Sequence, residues 1–402
     1  MAHTPAASGQ APRAAATGSA RLDSPGGPAG PGLRVCTVCV MDESDPEIRF
    51  DAQGRCQHCR QAEALLRRPP LGLSPAERAA GLARLVERIR ADGSGRDFDC
   101  VIGLSGGVDS SFLALETRRL GLRPLAVHVD NGWDTRLAVS NIERIVSGLS
   151  IELETVVLEW EEFRDLQRAF IEAWTPDLEI PTDHAIVASL WHTAAREGIR
   201  WILLGTNLRT ESILPRAWSH GHDDWGYIAG IQRRFGRVPL RTFPHLTLAQ
   251  RLLYKRVRRI RAVSLLDWCE YVKRDAVADL ERELGWEPYQ GKHHESVYTR
   301  FYQAWLLPTR FGFDKRRAHL SSLIASGQCT RQEALRQLEE PACAPEQAAE
   351  DLAYVASKLE LSPGALEALF ARPPRRFQDY PSYERSRLYR LGRRVLHRLW
   401  PA

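Results

Sequence analysis

Between residues 98 and 204, short apolar runs alternate with stretches whose apolar positions recur every three or four residues. The runs at 100–104, 124–129, 152–158 and 201–204 are too short for buried helices and read as strands. Helical spacing predicts helices over 109–120 and 136–149, with two further helical stretches before residue 201. Such alternation predicts an α/β domain, a parallel sheet with helices on both faces, whose ligands sit beyond the carboxyl ends of the strands. This domain is placed at 96–250. From about residue 246 the pattern turns helical and rich in Arg and Glu, without an internal repeat, so 251–402 is expected to be a mainly helical accessory region.

Three segments precede the α/β domain. Residues 1–33 form a Pro- and Gly-bearing tail with too little apolar surface to order itself. Residues 34–68 make a compact Cys-rich module, and 69–95 a helical connector that opens with Ser74-Pro75 in N-cap and first-turn positions. At the far end, Leu388, Leu391, Val395 and Leu399 recur at helical spacing among Arg385, Arg387, Arg390, Arg393, Arg394 and Arg398. That pattern predicts a basic amphipathic helix over 383–400, ending near Trp400, and three uses compete for it: docking on its own domain, peripheral contact with a membrane, or RNA binding. Self-docking is the expected use, because so wide an apolar stripe usually covers a core.

Composition narrows the class. With 402 residues, 44% hydrophobic and 26% charged, the chain is long enough for two or three globular units. A net charge of +5 is compatible with acidic ligands but does not demand nucleic acid. No apolar run is long enough to span a membrane, and the first thirty-odd residues lack the apolar core of a secretory signal, so a cytoplasmic protein is expected. Only five of the 55 basic residues are lysine (Lys255, Lys273, Lys292, Lys315 and Lys358). Against an arginine-rich background, each retained lysine points to a place where a compact ammonium is wanted.

Of eight cysteines, four form two CxxC pairs, Cys36/Cys39 and Cys56/Cys59, separated by sixteen residues. This spacing suits a four-thiolate zinc site holding together a segment too small for its own core. A redox or iron–sulfur role stays open. Four thiolates leave no free coordination position, so the site is read as structural or as a docking surface, with His58 a bystander.

Residues 101–111 run from an apolar strand through Ser105-Gly106-Gly107 into a helix. The glycines let the backbone approach an anion, the free amides of the helix start hold its charge, and Ser105, Ser110 and Ser111 add hydroxyls. No lysine follows at Walker spacing. Asp130 and Asn131 close the second apolar run and Gly205-Thr206-Asn207 the fourth; for the former a plain turn is the competing reading.

The hexapeptide 105–110 resembles the PP-loop of the N-type ATP pyrophosphatases, the superfamily of asparagine, NAD and GMP synthetases and tRNA thiolation enzymes. The resemblance implies ATP as co-substrate, a pyrophosphate grip by Ser105, Gly106, Gly107 and Ser110, and Mg2+ organised by Asp109. It implies nucleotide or metal contact by Asp130, and Thr206, Asn207 and Glu211 facing the cleft. Together with Cys36-Thr-Val-Cys-Val-Met-Asp42, 129–133, 291–296, Thr299 and 311–322, the motifs are similar to those of the N-acetyl sugar amidotransferases over roughly 34–340. That family implies adenylation of an acetamido oxygen and its replacement by ammonia. Lys292 and Lys315 would then act in catalysis and His293 and Glu295 at the sugar, with a solvated charged face the competing reading. The chain shows neither a cysteine after Met1 nor a nucleophile elbow, so ammonia is expected from a partner subunit or from solution, and the family resemblance implies a glutaminase partner. A tRNA-modifying sulfur or nitrogen transferase is the alternative; on the first reading nucleic acid is not obligatory.

Overall fold

The computed structural model describes residues 32–289, 291, 294–386 and 389. Residues 1–31 of the tail expected over 1–33, Lys292, His293 and nearly all of the predicted C-terminal helix lie outside the described residues.

Five strands form one parallel sheet: β1 (Cys100–Gly103), β2 (Pro124–Asp130), β3 (Glu152–Val157), β4 (Trp201–Leu204) and β5 (Arg261–Ser264), in the order β3-β2-β1-β4-β5. Chain order reverses at β1, between β2 and β4, which puts the topological switch point at the carboxyl end of β1. The helices are, in order, α1 (Gln57–Leu66), α2 (Pro75–Asp92), α3 (Val108–Arg119), α4 (Arg136–Leu149), α5 (Trp160–Ala173), α6 (Ile180–Arg196), α7 (Leu208–Glu211), α8 (Trp225–Phe235), α9 (Leu248–Arg256) and α10 (Lys273–Leu284). Beyond them lie α11 (Val297–Arg300), a π-helical segment at Phe301–Phe311, α12 (Arg316–Ala325), α13 (Arg331–Glu339), α14 (Pro345–Lys358) and α15 (Pro363–Phe370).

Strand residues alternate between two cores, as a pleated sheet buried on both faces requires. Cys100, Ile102, Ala126 and Leu203 pack with α3, α4 and α10 through Leu113, Ile142, Ile145 and Leu280. Val101, Leu125, Val127 and Ile202 face the other way, onto Ala188, Leu190, Trp191 and Ala194 of α6. Burying each such aliphatic side chain contributes about 1.5–3 kcal/mol. The connector helix α2 starts where Ser74-Pro75 predicts: the Ser74 side chain accepts from the Glu77 amide, and Glu77 in turn accepts from the Ser74 backbone N–H.

The region after residue 250 is mainly helical, as expected, with one exception. β5 pairs with β4 in register Trp201↔Arg261 through Leu204↔Ser264, so the sheet extends past the expected limit of 250. Arg261-Ala-Val-Ser is a short edge strand with its first two residues exposed, and it lacks the apolar run that betrays a strand. The remaining C-terminal helices fold back over the domain and the Cys module. Among the described residues no helix is long and apolar enough to cross a membrane.

Candidate active site

β1 ends at Gly103, and residues 104–107 turn into the start of α3. Gly106 has φ +78°, and a Cβ there would lie 2.8 Å from the Ala138 carbonyl oxygen, so only glycine fits. Its own carbonyl accepts from Trp286 Nε1 at 2.9 Å and from the Tyr289 hydroxyl at 3.1 Å. Inside the turn, Ser105 Oγ and Ser110 Oγ lie 3.1 Å apart, and the Gly107 amide donates to Ser105 Oγ at 3.4 Å. Two hydroxyls, loop amides and the positive end of a helix therefore converge on one concave spot, an anion cradle.

Asp109, in the first turn of α3, is held from outside the loop. The Tyr271 hydroxyl and Asn207 Nδ2 (3.3 Å) both donate to its Oδ1. Asn207 also caps α7, accepting from the Thr210 amide at 3.0 Å, so the loops after β1 and β4 are tied together. Gly205 makes this possible, since a Cβ would stand 3.1 Å from the Asp109 carbonyl oxygen. Thr206 lies 3.3 Å from Ser264 of β5 through their hydroxyls.

A strap closes the loop from the other side. Thr135 donates to the Glu295 carbonyl at 2.8 Å, Val297 donates to the Trp133 carbonyl at 2.9 Å, and Asp134 bridges Ser296. The Glu295 carboxylate stands over the loop: a Cβ on Gly107 would lie 2.9 Å from its Oε1. His128, on β2, has Nδ1 2.9 Å from the Leu104 carbonyl and Nε2 3.1 Å from Asp134. Burial works against a charged imidazole here, but Asp134 and the other acceptors outweigh it and raise the His128 pKa above its ordinary value.

Loop, strap and α12 enclose a cleft of about 2000 Å³, and its other end is acidic. Lys315 Nζ lies 3.4 Å from Glu179 Oε2, which also accepts from Gln303 at 2.7 Å. Burial disfavours the ammonium, yet Glu179, Asp177 and Asp183 more than compensate and raise the Lys315 pKa. Asp183 is accessible to the cleft but surrounded by protein on its other sides. Burial, then the charges of Glu179 and Asp177, raise its pKa well above the usual carboxylate range. Glu211, at the end of α7, lines the same space.

In the Cys module, Cys36, Cys39, Cys56 and Cys59 are buried, with their Sγ atoms within 4.8 Å of one another. The closest separations are 3.6–3.8 Å, close to the ~3.8 Å edge of a tetrahedron with metal–sulfur bonds of about 2.3 Å. Amides of Val38, Cys39 and Cys56 point at Cys36 Sγ at 3.3–3.4 Å, donors that favour thiolate. The residues thus fit a closed tetrahedral ion site. His58 is engaged elsewhere, its Nε2 2.7 Å from the buried Asp45, as a bystander would be. The module is bolted to α12 and α13: Arg317 pairs with Asp42 at 3.0 Å and donates to the Val40 carbonyl, and Arg331 donates to the carbonyls of Cys36 and Cys39.

Of the residues singled out in the sequence, Ser105, Gly107, Asp109, Ser110, Thr206, Glu211, Glu295 and Lys315 line the cleft, with Gly106 and Asn207 directly behind it. Asp130 does not. Its carboxylate accepts from the Gly132 amide at 2.8 Å in a local turn, the competing reading of that motif, while His128, Asn131 and Asp134 on either side face the cleft. Lys292 and His293 lie outside the described residues. Glu179, Asp183, Tyr271, Trp286 and Tyr289 went unseen in the sequence. Glu179-Ile-Pro-Thr-Asp183 opens a helix, so its acids read as ordinary first-turn residues.

Residues 295–396 match the family described as LPS biosynthesis protein WbpG-like, C-terminal domain. No curated protein matches the chain. Among solved structures, NMN synthetase from Francisella tularensis is 15% identical over 72% of this chain and 98% of its own, with a TM-score of 0.32. NH3-dependent NAD synthetase from Campylobacter jejuni is 14% identical over 75% and 99%, with a TM-score of 0.29. A predicted subunit of a tRNA methyltransferase from Methanocaldococcus jannaschii is 19% identical over 45% and 75%, at 0.27. Superpositions this loose carry no argument about function.

Proposed function

With residues 295–396 matching the WbpG-like C-terminal domain, we propose that this chain is an ATP-dependent, AMP-forming amidotransferase that converts the acetamido group of a nucleotide-linked N-acetyl sugar into an acetamidino group. The observation that carries the reading is the anion cradle at 105–110, which opens into a cleft walled at its far end by Lys315, Glu179 and Asp183.

In the proposed reaction the acetamido oxygen attacks the α-phosphorus of ATP, the bond to the β-phosphate oxygen breaks, and pyrophosphate departs. Charge gathers on the departing phosphates where the loop amides, Ser105, Ser110 and the start of α3 are preorganised to receive it. Asp109, fixed by Tyr271 and Asn207, is the residue to hold Mg2+, which would neutralise the phosphates. Ammonia then adds to the activated carbon, the carbon–oxygen bond breaks, AMP leaves with the electron pair, and the extra proton passes to a carboxylate. Glu179 offers such a carboxylate and its negative charge also draws in ammonium, while Asp183 lines the same space beside it. Lys315 sits where an ammonium can orient the sugar or the developing adenylate.

A glutaminase subunit is the proposed ammonia source, zinc the proposed ion of the Cys module, and the cytoplasm the place where ATP and sugar meet. The test is AMP and pyrophosphate release from ATP and ammonium with a panel of nucleotide-linked sugars. AMP release only with acetamido-bearing sugars supports the proposal; release that depends on tRNA and ignores sugars overturns it.

A further inference from the structure

Between Asp224 and Asp267 the chain has no Asp or Glu and ten Lys or Arg. α9 lies in this stretch and contains no buried residue. Leu253 and Val257 stand one turn apart with Leu252 beside them, and the three are 47%, 68% and 52% exposed. Lys255, Arg256, Arg258, Arg259 and Arg261 are exposed around them. Arg259 has φ +57°, turning the chain from α9 into β5 and tying the basic rim to the sheet edge. Arg251 is matched by Asp223 at 2.6 Å, and Lys255 lies 5.7 Å over the Trp191 ring.

We infer that α9 and the turn into β5 form a docking surface for an anionic lipid bilayer, on which Leu252, Leu253 and Val257 enter the interface and the surrounding cations meet headgroup charge. Charge complementarity selects this occupant. An aliphatic patch rimmed by an excess of exposed cations matches a layer that is apolar inside and anionic outside. A single-stranded RNA site would set aromatic faces among the arginines rather than leucine and valine. The chain's own C-terminal segment begins nearby, where Tyr383 meets the backbone of Leu248. Its arginines 387, 390, 393, 394 and 398 would bring like charge onto α9, which disfavours that segment as the cover of the patch. The inference does not depend on the ATP reaction.

Co-sedimentation of the full chain with vesicles of phosphatidylcholine alone, or mixed with phosphatidylglycerol, tests it. Binding is expected only to the anionic vesicles, weakening as salt rises. Replacing Leu252, Leu253 and Val257 together by serine should weaken partition at least tenfold (~0.8 kcal/mol per buried CH2). Arg258→Gln with Arg259→Gln should weaken it roughly twenty-fivefold, at about fivefold per cation. Neither variant should lower the melting temperature appreciably, since these half-exposed side chains belong to no core cluster. A drop in melting temperature for the serine variant, unchanged partition in both variants, partition that disappears only on truncation after Ser386, or tight RNA binding without vesicle binding would each overturn the inference.

Discussion

The most demanding position is Gly106. An alanine there meets both a left-handed backbone, costing about 1–2 kcal/mol, and the Ala138 carbonyl. Gly106→Ala should therefore lower AMP formation by about a hundredfold or more with little change in melting temperature, since the loop can shift but its amides then miss the phosphates. Asp109→Asn keeps the hydrogen-bond geometry yet loses the charge, and a similar loss of turnover is expected; near-normal AMP release by both variants would refute the cradle. Asp183 makes a different prediction. Its pKa is raised on folding, so the folded state binds the extra proton, and stability falls as pH rises from the unfolded value near ~4 through the folded one. Asp183→Asn removes that penalty: its melting temperature should exceed wild type at neutral pH, the gap closing as the pH approaches about 4. Parallel melting curves at all pH values would contradict the assignment. The loop and the cysteines were legible because their residues are contiguous or regularly spaced. Tyr271, Trp286 and Tyr289 were not, because each reaches the loop across more than 160 residues of chain.

Among the elements, strands β1, β2 and β4 and helices α2 to α4 follow the apolar pattern closely, since both faces of the sheet are buried there; the edge strand β3 is half-exposed yet keeps enough apolar residues to be read. β5 escaped because an exposed edge strand needs no apolar run. The Cys module was legible in its ligands but not in its seat. Arg317 and Arg331 come from helices nearly 300 residues away in sequence and clamp the backbone around Cys36 to Asp42. Arg317→Ala strands Asp42 inside the protein and should cost about 3–5 kcal/mol, measurable as a lower denaturation midpoint. Cys56→Ser should abolish stoichiometric zinc and loosen the same seat, seen as faster proteolysis within 34–68; a fully stable, zinc-free variant would contradict a structural ion.

At the scale of the whole chain, the cleft is a joint product of the sheet, the strap over 294–297 and the accessory helices. The acids of α6 meet Lys315 from beyond the π-helical segment, and the Arg300–Asp351 pair at 2.7 Å braces α11 against α14. No local pattern announces that convergence, although 291–296 and 311–322 carried the family resemblance that led to it. The account stands or falls on product analysis of the purified chain with ATP, ammonium and a nucleotide-linked N-acetyl sugar. It predicts one AMP and one pyrophosphate per sugar converted and a sugar product 1 Da lighter, as an acetamido oxygen is replaced by NH. ADP and phosphate as products, or AMP without any change in the sugar's mass, would contradict it.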